Sequence, residues 1–252
     1  MNILFTICAR AGSKGLKNKN LKMLKGRPLV YYTLSAIRAY KVVHPEVSVD
    51  VALNTDSKEL IRQVEEQKLV ESIIIVERER ELAGDTSAKV HVIQDTYRKC
   101  IEKGEKYDLV IDLDLTSPLR RLCDIENAVD QAMSNVSYDV VFSVVKSRRS
   151  PYFNMVELKG DGYYRKICDS NFTARQQAPA TYELNASIYV YRNSFLEKEI
   201  NKTLLEYNCG IVEMQDYLVL DIDSEDDFEM LEKLIDIYSK DEKFEQMIKT
   251  IL

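Results

Sequence analysis

Near its start the chain carries a short, largely apolar run in which Ile3, Leu4, Phe5, Ile7 and Cys8 cluster. A run without regular polar alternation predicts a strand buried on both faces, which needs helices packed on each side of its sheet. The pattern recurs at residues 47–53, 73–76, 109–111, 140–145 and 186–191. Helical patterns lie between these runs. Pro28 can occupy the first turn of a helix in which Leu29, Tyr32, Ala36, Ile37 and Tyr40 share one face. Ser57 or Asp56 can cap the next. Thr86 or Ser87 can cap a long helix to about Lys103, and another spans 124–134. Strands alternating with helices predict an α/β fold with a doubly wound, mostly parallel sheet. Ligands bind such sheets at the carboxyl ends of the strands, so the loops beginning at Arg10, Asn54, Glu77 and Asp114 should share one edge.

Residues 146–185 break the rhythm. Their Tyr-, Arg- and Asn-rich stretches alternate like small antiparallel strands around 152–158 and 163–168. This segment reads as an insertion or lid able to reach a partner subunit. It divides the main domain, residues 1–145 and 186–252. Near the end, Asp221-Ile222-Asp223 precedes a helix capped by Ser224, with Asp227 at its third position. Phe228, Leu231, Leu234, Ile235 and Tyr238 form the apolar face of that helix.

The first strand opens into a basic, acid-free loop in which Arg10, Gly12, Ser13, Lys14, Gly15, Lys17 and Lys19 follow closely. Glycine lets a backbone turn and bring its N–H groups near a ligand. A nest of such groups beside Arg and Lys suits a polyphosphate. Residues 1–45 carry nine Lys or Arg and no acid, although the net charge is -6. A local positive field in an acidic protein points to a bound anion and not to nucleic acid, which needs a broad basic face. Lys22 and Lys25 read as surface residues. No apolar run is long enough to cross a membrane, and no signal peptide is evident. Cys8, Cys100, Cys123, Cys168 and Cys209 include no CxxC pair, so neither a disulfide framework nor a zinc site is expected. A cytoplasmic protein is expected. With only His44 and His91 available, His-based nucleophilic catalysis is not expected.

Two Asp-x-Asp pairs, Asp112/Asp114 and Asp221/Asp223, stand at expected strand ends. Residues two apart in an extended segment point the same way, so each pair can present two carboxylates to one ion. Mg²⁺ takes one or two carboxylates together with substrate phosphates, and a basic cradle beside such ligands suits phosphoryl-type transfer. Asp221 and Asp223 alternatively favour a helix start; Asp112 and Asp114 alternatively bind substrate. Thr116, Ser117, Pro118 and Arg120 read as a polar substrate cradle or a plain turn. Arg175 suits a carboxylate or a surface ion pair.

These blocks together resemble the acylneuraminate cytidylyltransferase family, which makes CMP-activated nonulosonic acids. ARAGSKGLKNKN at 9–20 resembles its phosphate loop, RERELAGDT at 78–86 its nucleotide-contacting segment and TSPLR at 116–120 its substrate loop. RQQAP with NASIYVY, and DIDSEDDF at 221–228, follow in the family's order. The resemblance implies a Rossmann variant like that of the nucleotide-diphospho-sugar transferases. It also implies a homodimer with an exchanged substrate lobe, and Mg²⁺-dependent transfer of CMP from CTP to a sugar acid with release of pyrophosphate. It assigns the triphosphate to Ala9, Arg10, Ala11, Gly12, Ser13, Lys14 and Gly15. Arg10 and Lys14 are the catalytic cations of that loop, stabilising charge on the phosphates, and Asn20, Arg78 and Thr86 place the cytidine. Asp221 and Asp223 become catalytic metal ligands. The sugar falls to Asp114, Thr116, Ser117 and Arg120, and to Arg175, Gln176, Tyr182 and Asn185. The chain departs from the sialic acid branch where DLDLTSPLR puts Asp114 in place of a common Gln, where Lys89 replaces a small hydroxyl residue, and at SPYFN, 150–154. It looks closer to enzymes that activate legionaminic acid, with sialic and pseudaminic acid as alternative acceptors. Asp114 is a candidate general base. A nucleotide-sugar glycosyltransferase is the nearest rival, since Asp112-Leu113-Asp114 resembles its metal motif; a non-catalytic CTP-binding regulator is another.

Overall fold

In the computed structural model, residues 1–12, 16–84, 87–218 and 220–238 are described. In chain order the strands are β1 (Asn2–Cys8), β2 (Met23–Leu24), β3 (Arg27–Pro28), β4 (Ser48–Thr55), β5 (Ile74–Glu77), β6 (Leu109–Leu113) and β7 (Val140–Lys146). They continue with β8 (Val156–Leu158), β9 (Tyr164–Lys166), β10 (Tyr182–Arg192) and β11 (Cys209–Glu213). The α-helices are α1 (Leu29–Val43), α2 (Lys58–Gln67), α3 (Lys89–Ile101), α4 (Leu122–Ser134), α5 (Asn193–Leu196) and α6 (Glu225–Tyr238). Seven strands form the main sheet in the order β11-β7-β10-β6-β1-β4-β5. β10 is antiparallel to both β6 and β7, and the other pairings are parallel. The expected mostly parallel α/β fold is observed. Its two apolar clusters lie on opposite faces of the sheet, around Ile3, Phe5 and Ile37 and around Leu4, Ile93 and Tyr97. This is the consequence of β1 being apolar at odd and even positions alike.

Local chemistry explains most element ends. The Ser57 hydroxyl accepts from the Leu60 amide at 3.2 Å and caps α2. Ser224 and Asp227 exchange bonds at the start of α6, the Ser224 amide donating to Asp227 Oδ2 at 2.8 Å. The expected cap of α3 is not found at Ser87, whose hydroxyl instead donates to the Glu81 carbonyl at 2.8 Å. Thr86 lies outside the described residues. Pro28 stands just before α1 in extended geometry rather than within its first turn.

β10 begins at Tyr182, earlier than periodicity indicates, and its register against β7 shifts between Leu184 and Tyr189. Ala186 takes a left-handed conformation, φ 54°, inside this irregularity. The bulge turns Asn185 and Ser187 inward; Ser187 meets a buried arginine described below, and the Asn185 side chain accepts from the Ser187 amide at 3.3 Å. β8 and β9 form the expected antiparallel hairpin, with nearly every side chain exposed.

Candidate active site

Where β1 ends, the chain turns through Gly12, whose φ of 68° suits a residue without Cβ. Ala9, Arg10, Lys19 and Asn20 line a cleft of about 230 Å³ at the carboxyl edge of the sheet, and Ala11, Gly12 and Asn18 line a smaller cavity of about 70 Å³ that shares Arg10, Lys19 and Asn20 with it. Arg10 and Lys19 face the larger cleft from this loop, Arg78 from the segment after β5, and Lys89, Asp114 and Thr116 from the opposite wall. Arg10 donates to the Ala83 carbonyl at 3.1 Å, tying the loop to the segment after β5. Asn20 donates to the Arg10 carbonyl at 3.0 Å, and the Ala11 amide donates to Asp56 Oδ1 at 2.6 Å. Arg78 is anchored by Asn54, donating from Nε to Oδ1 at 2.8 Å and from Nη2 to the carbonyl at 3.1 Å. Burial lowers its pKa. Ala9 is buried beneath the loop. Ser13, Lys14, Gly15 and Thr86 lie outside the described residues.

The acidic wall is more differentiated than the sequence motifs imply. Asp112 is completely buried at the end of β6 and accepts from the Thr6 hydroxyl at 2.9 Å. The Lys89 ammonium lies 2.7 Å from Asp112 Oδ2 and 2.6 Å from Asp114 Oδ2. Asp114 Oδ1 accepts from the Thr116 amide at 2.9 Å and its hydroxyl at 2.7 Å. Although burial opposes ionisation, Lys89 and these bonds hold the Asp114 carboxyl well below the usual range. Both Asp114 oxygens are thus engaged, and abstraction of a proton by this carboxylate would require Lys89 or Thr116 to give way. The bridged pair also leaves the glycosyltransferase reading without its free metal motif.

Asp221 stands beside this wall, with Thr116 reaching both carboxylates. Its Oδ1 is buried without a hydrogen-bond partner. Burial, then the negative charge of Asp114, raises its pKa. An orphaned carboxylate oxygen of this kind fits a cation. Among the described residues no three His, Cys, Asp or Glu side chains group as a metal cage. An ion here would rest on one or two carboxylates and on ligand oxygens, as Mg²⁺ commonly does. Asp223 is largely exposed and pairs with Lys19 at 3.0 Å, while Lys19 also donates to the Ile222 carbonyl at 2.9 Å. In sequence Lys19 is indistinguishable from its basic neighbours; what marks it is that its loop returns to Asp221–Asp223, which precede α6 in irregular backbone and not, as expected, at a strand end. Lys22 and Lys25 pair with Glu225 and Asp236 away from the cleft, as surface residues should.

The proposed polar cradle at Thr116, Ser117 and Arg120 is corrected in part. Ser117 and Arg120 are completely buried. Arg120 donates to the Asp114 carbonyl, to Thr33 Oγ1 at 3.1 Å and to Ser187 Oγ at 3.3 Å. Its burial lowers the guanidinium pKa to about 10. It supports the loop from inside the core. Asn185 is likewise buried; its Oδ1 accepts from Ser143 Oγ at 2.6 Å.

A family model described as "Cytidylyltransferase" matches residues 4–249. The chain belongs to the cytidylyltransferase family. It is 35% identical over 236 residues to the CMP-N,N'-diacetyllegionaminic acid synthase of Campylobacter jejuni, covering 93% of this chain and 95% of that protein. It is 36% identical over 239 residues to the post-translational flagellin modification protein B of Campylobacter coli, covering 92% and 94%. Among solved structures, a CMP:2-keto-3-deoxy-manno-octonic acid synthetase in complex with CTP shares the fold with a TM-score of 0.65 and 15% identity, over 94% of this chain and 99% of that one.

This cytidylyltransferase places the remaining candidates elsewhere. Arg175 and Gln176 line a separate cavity of about 340 Å³ with Lys146, Arg149 and Ser150. Arg175 donates from Nη2 to the Ser147 carbonyl at 2.7 Å. Tyr182 is 40% exposed at the start of β10. Within one chain, neither cavity includes residues lining the other. No helix of the described residues is long and apolar enough to cross a membrane.

Proposed function

We propose that the protein transfers CMP from CTP to a nonulosonic acid, with N,N'-diacetyllegionaminic acid as the acceptor. The observation that carries this is the cleft in which Arg10, Lys19 and Arg78 face Asp114 and Thr116, with Asp221 alongside. The similarity to a CMP-N,N'-diacetyllegionaminic acid synthase supports the choice of sugar. In the proposed step the sugar's anomeric hydroxyl attacks the α-phosphorus of CTP and pyrophosphate leaves. Arg10 and Lys19, with Lys14 of the same loop, neutralise charge on the phosphates. Asn20 and Arg78 orient the nucleoside. Bound Mg²⁺, held by Asp221 with Asp223 in the same segment before α6, would supply charge stabilisation to the phosphates and departing pyrophosphate. Pyrophosphate release measured with CTP, Mg²⁺ and a panel of nonulosonic acids tests the reading. Turnover should be highest with the legionaminic acid; none with any sugar acid would refute it. Arg10→Ala should lower kcat/KM for CTP by about 10²-fold through loss of charge stabilisation.

We also propose that residues 146–185 complete the sugar site of a partner subunit. A two-stranded hairpin is marginal by itself in water, yet β8 and β9 leave Val156, Leu158, Tyr163 and Tyr164 58–70% exposed. A second copy of the chain would cover them and bring Arg175 toward a neighbouring cleft. Tyr164→Glu should shift the protein from dimer to monomer in analytical ultracentrifugation and lower turnover. A monomeric wild type with full activity would exclude an exchanged lobe.

A further inference from the structure

Lys89 occupies a place that the Asp112/Asp114 spacing would otherwise leave to a metal ion. The two carboxylates converge, as a strand's two-residue repeat requires. Their facing oxygens, Oδ2 of each, lie 2.7 and 2.6 Å from one ammonium nitrogen. Their other oxygens are taken by Thr6 and Thr116. Asp112 Oδ2 and Asp221 Oδ1 are both buried without a hydrogen bond, but the Lys89 ammonium stands 2.7 Å from the Asp112 oxygen as an ion pair. The two acidic pairs thus differ: Lys89 bridges both carboxylates of the first, whereas in the second Lys19 pairs with the exposed Asp223 and the buried Asp221 oxygen stays without a hydrogen bond.

We propose that Lys89 is the resident cation of the Asp112/Asp114 pair, closing that pair to divalent ions and confining metal binding at this wall to Asp221. The physical case is competition for the same oxygens. Lys89 is the first residue of α3, so its ammonium is delivered by the fold at a high effective concentration. A divalent ion could displace it only by leaving the ammonium without its two carboxylate partners in a partly dry site. Asp112, completely buried, could not recover the lost contact from water. Lys89 also sets the sign of this wall. It reduces two negative charges to one beside a cleft that, on the function proposed above, must accept a triphosphate and a sugar acid. A small hydroxyl residue at position 89 would leave two unneutralised carboxylates facing those anions.

The metal-counting test needs no substrate and therefore does not depend on the proposed reaction. Mn²⁺ is titrated into nucleotide-free protein and the free ion is followed by electron paramagnetic resonance. Lys89→Met should bind one more Mn²⁺ per chain than the wild type, and Lys89→Met combined with Asp112→Asn should lose that extra ion. Lys89→Arg should retain the wild-type count. Asp112→Asn with Lys89 in place should also leave it unchanged, with circular dichroism used to establish folding. A folded Lys89→Met protein with no additional ion would overturn the proposal, as would a lower count in Asp112→Asn alone. If Lys89→Met does not fold, the Asp112→Asn and Lys89→Arg counts decide the matter. Absence of pyrophosphate release by the wild type would refute the proposed reaction while leaving these ion counts intact.

Discussion

Asp221→Asn should cost about 10³-fold in turnover while leaving the protein folded and no less stable. Metal removal and the substitution should act at the same place, because the ion's charge stabilisation would be lost either way. The expected stability follows from the direction of the pKa shift. Burial and the neighbouring negative charge of Asp114 raise the Asp221 pKa. A carboxyl whose folded-state value exceeds its unfolded value of about 4 destabilises the fold when ionised, and that cost disappears as pH falls below the unfolded value. Asn removes it at neutral pH, so Tm should hold or rise. Mg²⁺ should raise the wild-type Tm by mass action and have little effect on the variant. Thermal melts with and without Mg²⁺, combined with pyrophosphate release, check both halves. Unchanged Mg²⁺ dependence in Asp221→Asn would place the ion elsewhere. Asp223→Asn should have the smaller effect, since that carboxylate is 76% exposed and already paired with Lys19.

Arg120→Met should have the opposite signature, with a large loss of stability and no direct role in binding. The guanidinium is fully buried and joins the Asp114 carbonyl, the Thr33 hydroxyl on α1 and the Ser187 hydroxyl on the bulged part of β10. Its surroundings include the charges of Asp114, Asp112 and Asp124. Removing one member of such a buried network leaves the others unpaired and typically costs about 3–5 kcal/mol. For a chain of this size that corresponds to a fall of roughly 10 °C in Tm. Arg120→Lys should not restore it, because an ammonium lacks the planar fork that reaches three acceptors. Denaturant unfolding measures the loss. A wild-type midpoint in Arg120→Met would show that the network contributes little.

Much of the fold is legible because its causes are local. Continuous apolar runs mark strands covered on both faces, and the Ser57 and Ser224–Asp227 caps need only residues within the same turn. The start of α3 is not legible at Ser87 because a hydroxyl can cap a helix or bond a nearby carbonyl, and neighbouring sequence does not distinguish the two. The early start of β10 is not legible because its first residues, Tyr182, Glu183 and Leu184, are exposed and carry no buried-strand pattern.

By itself the sequence determined an α/β sheet, a basic glycine-bearing loop after its first strand, and two Asp-x-Asp motifs, of which only Asp112/Asp114 stands at a strand end. Each follows from periodicity or from residue types adjacent in the chain. Only the tertiary structure decided what those charged groups face. Thr6 meets Asp112 across 106 residues and Lys19 meets Asp223 across 204. Lys89 closes one acidic pair while Asp221 keeps an orphaned oxygen, and Arg120 turns into the core instead of the cleft. The reason is physical. A charge acts through the partner and the dielectric around it, and strand order and burial set both.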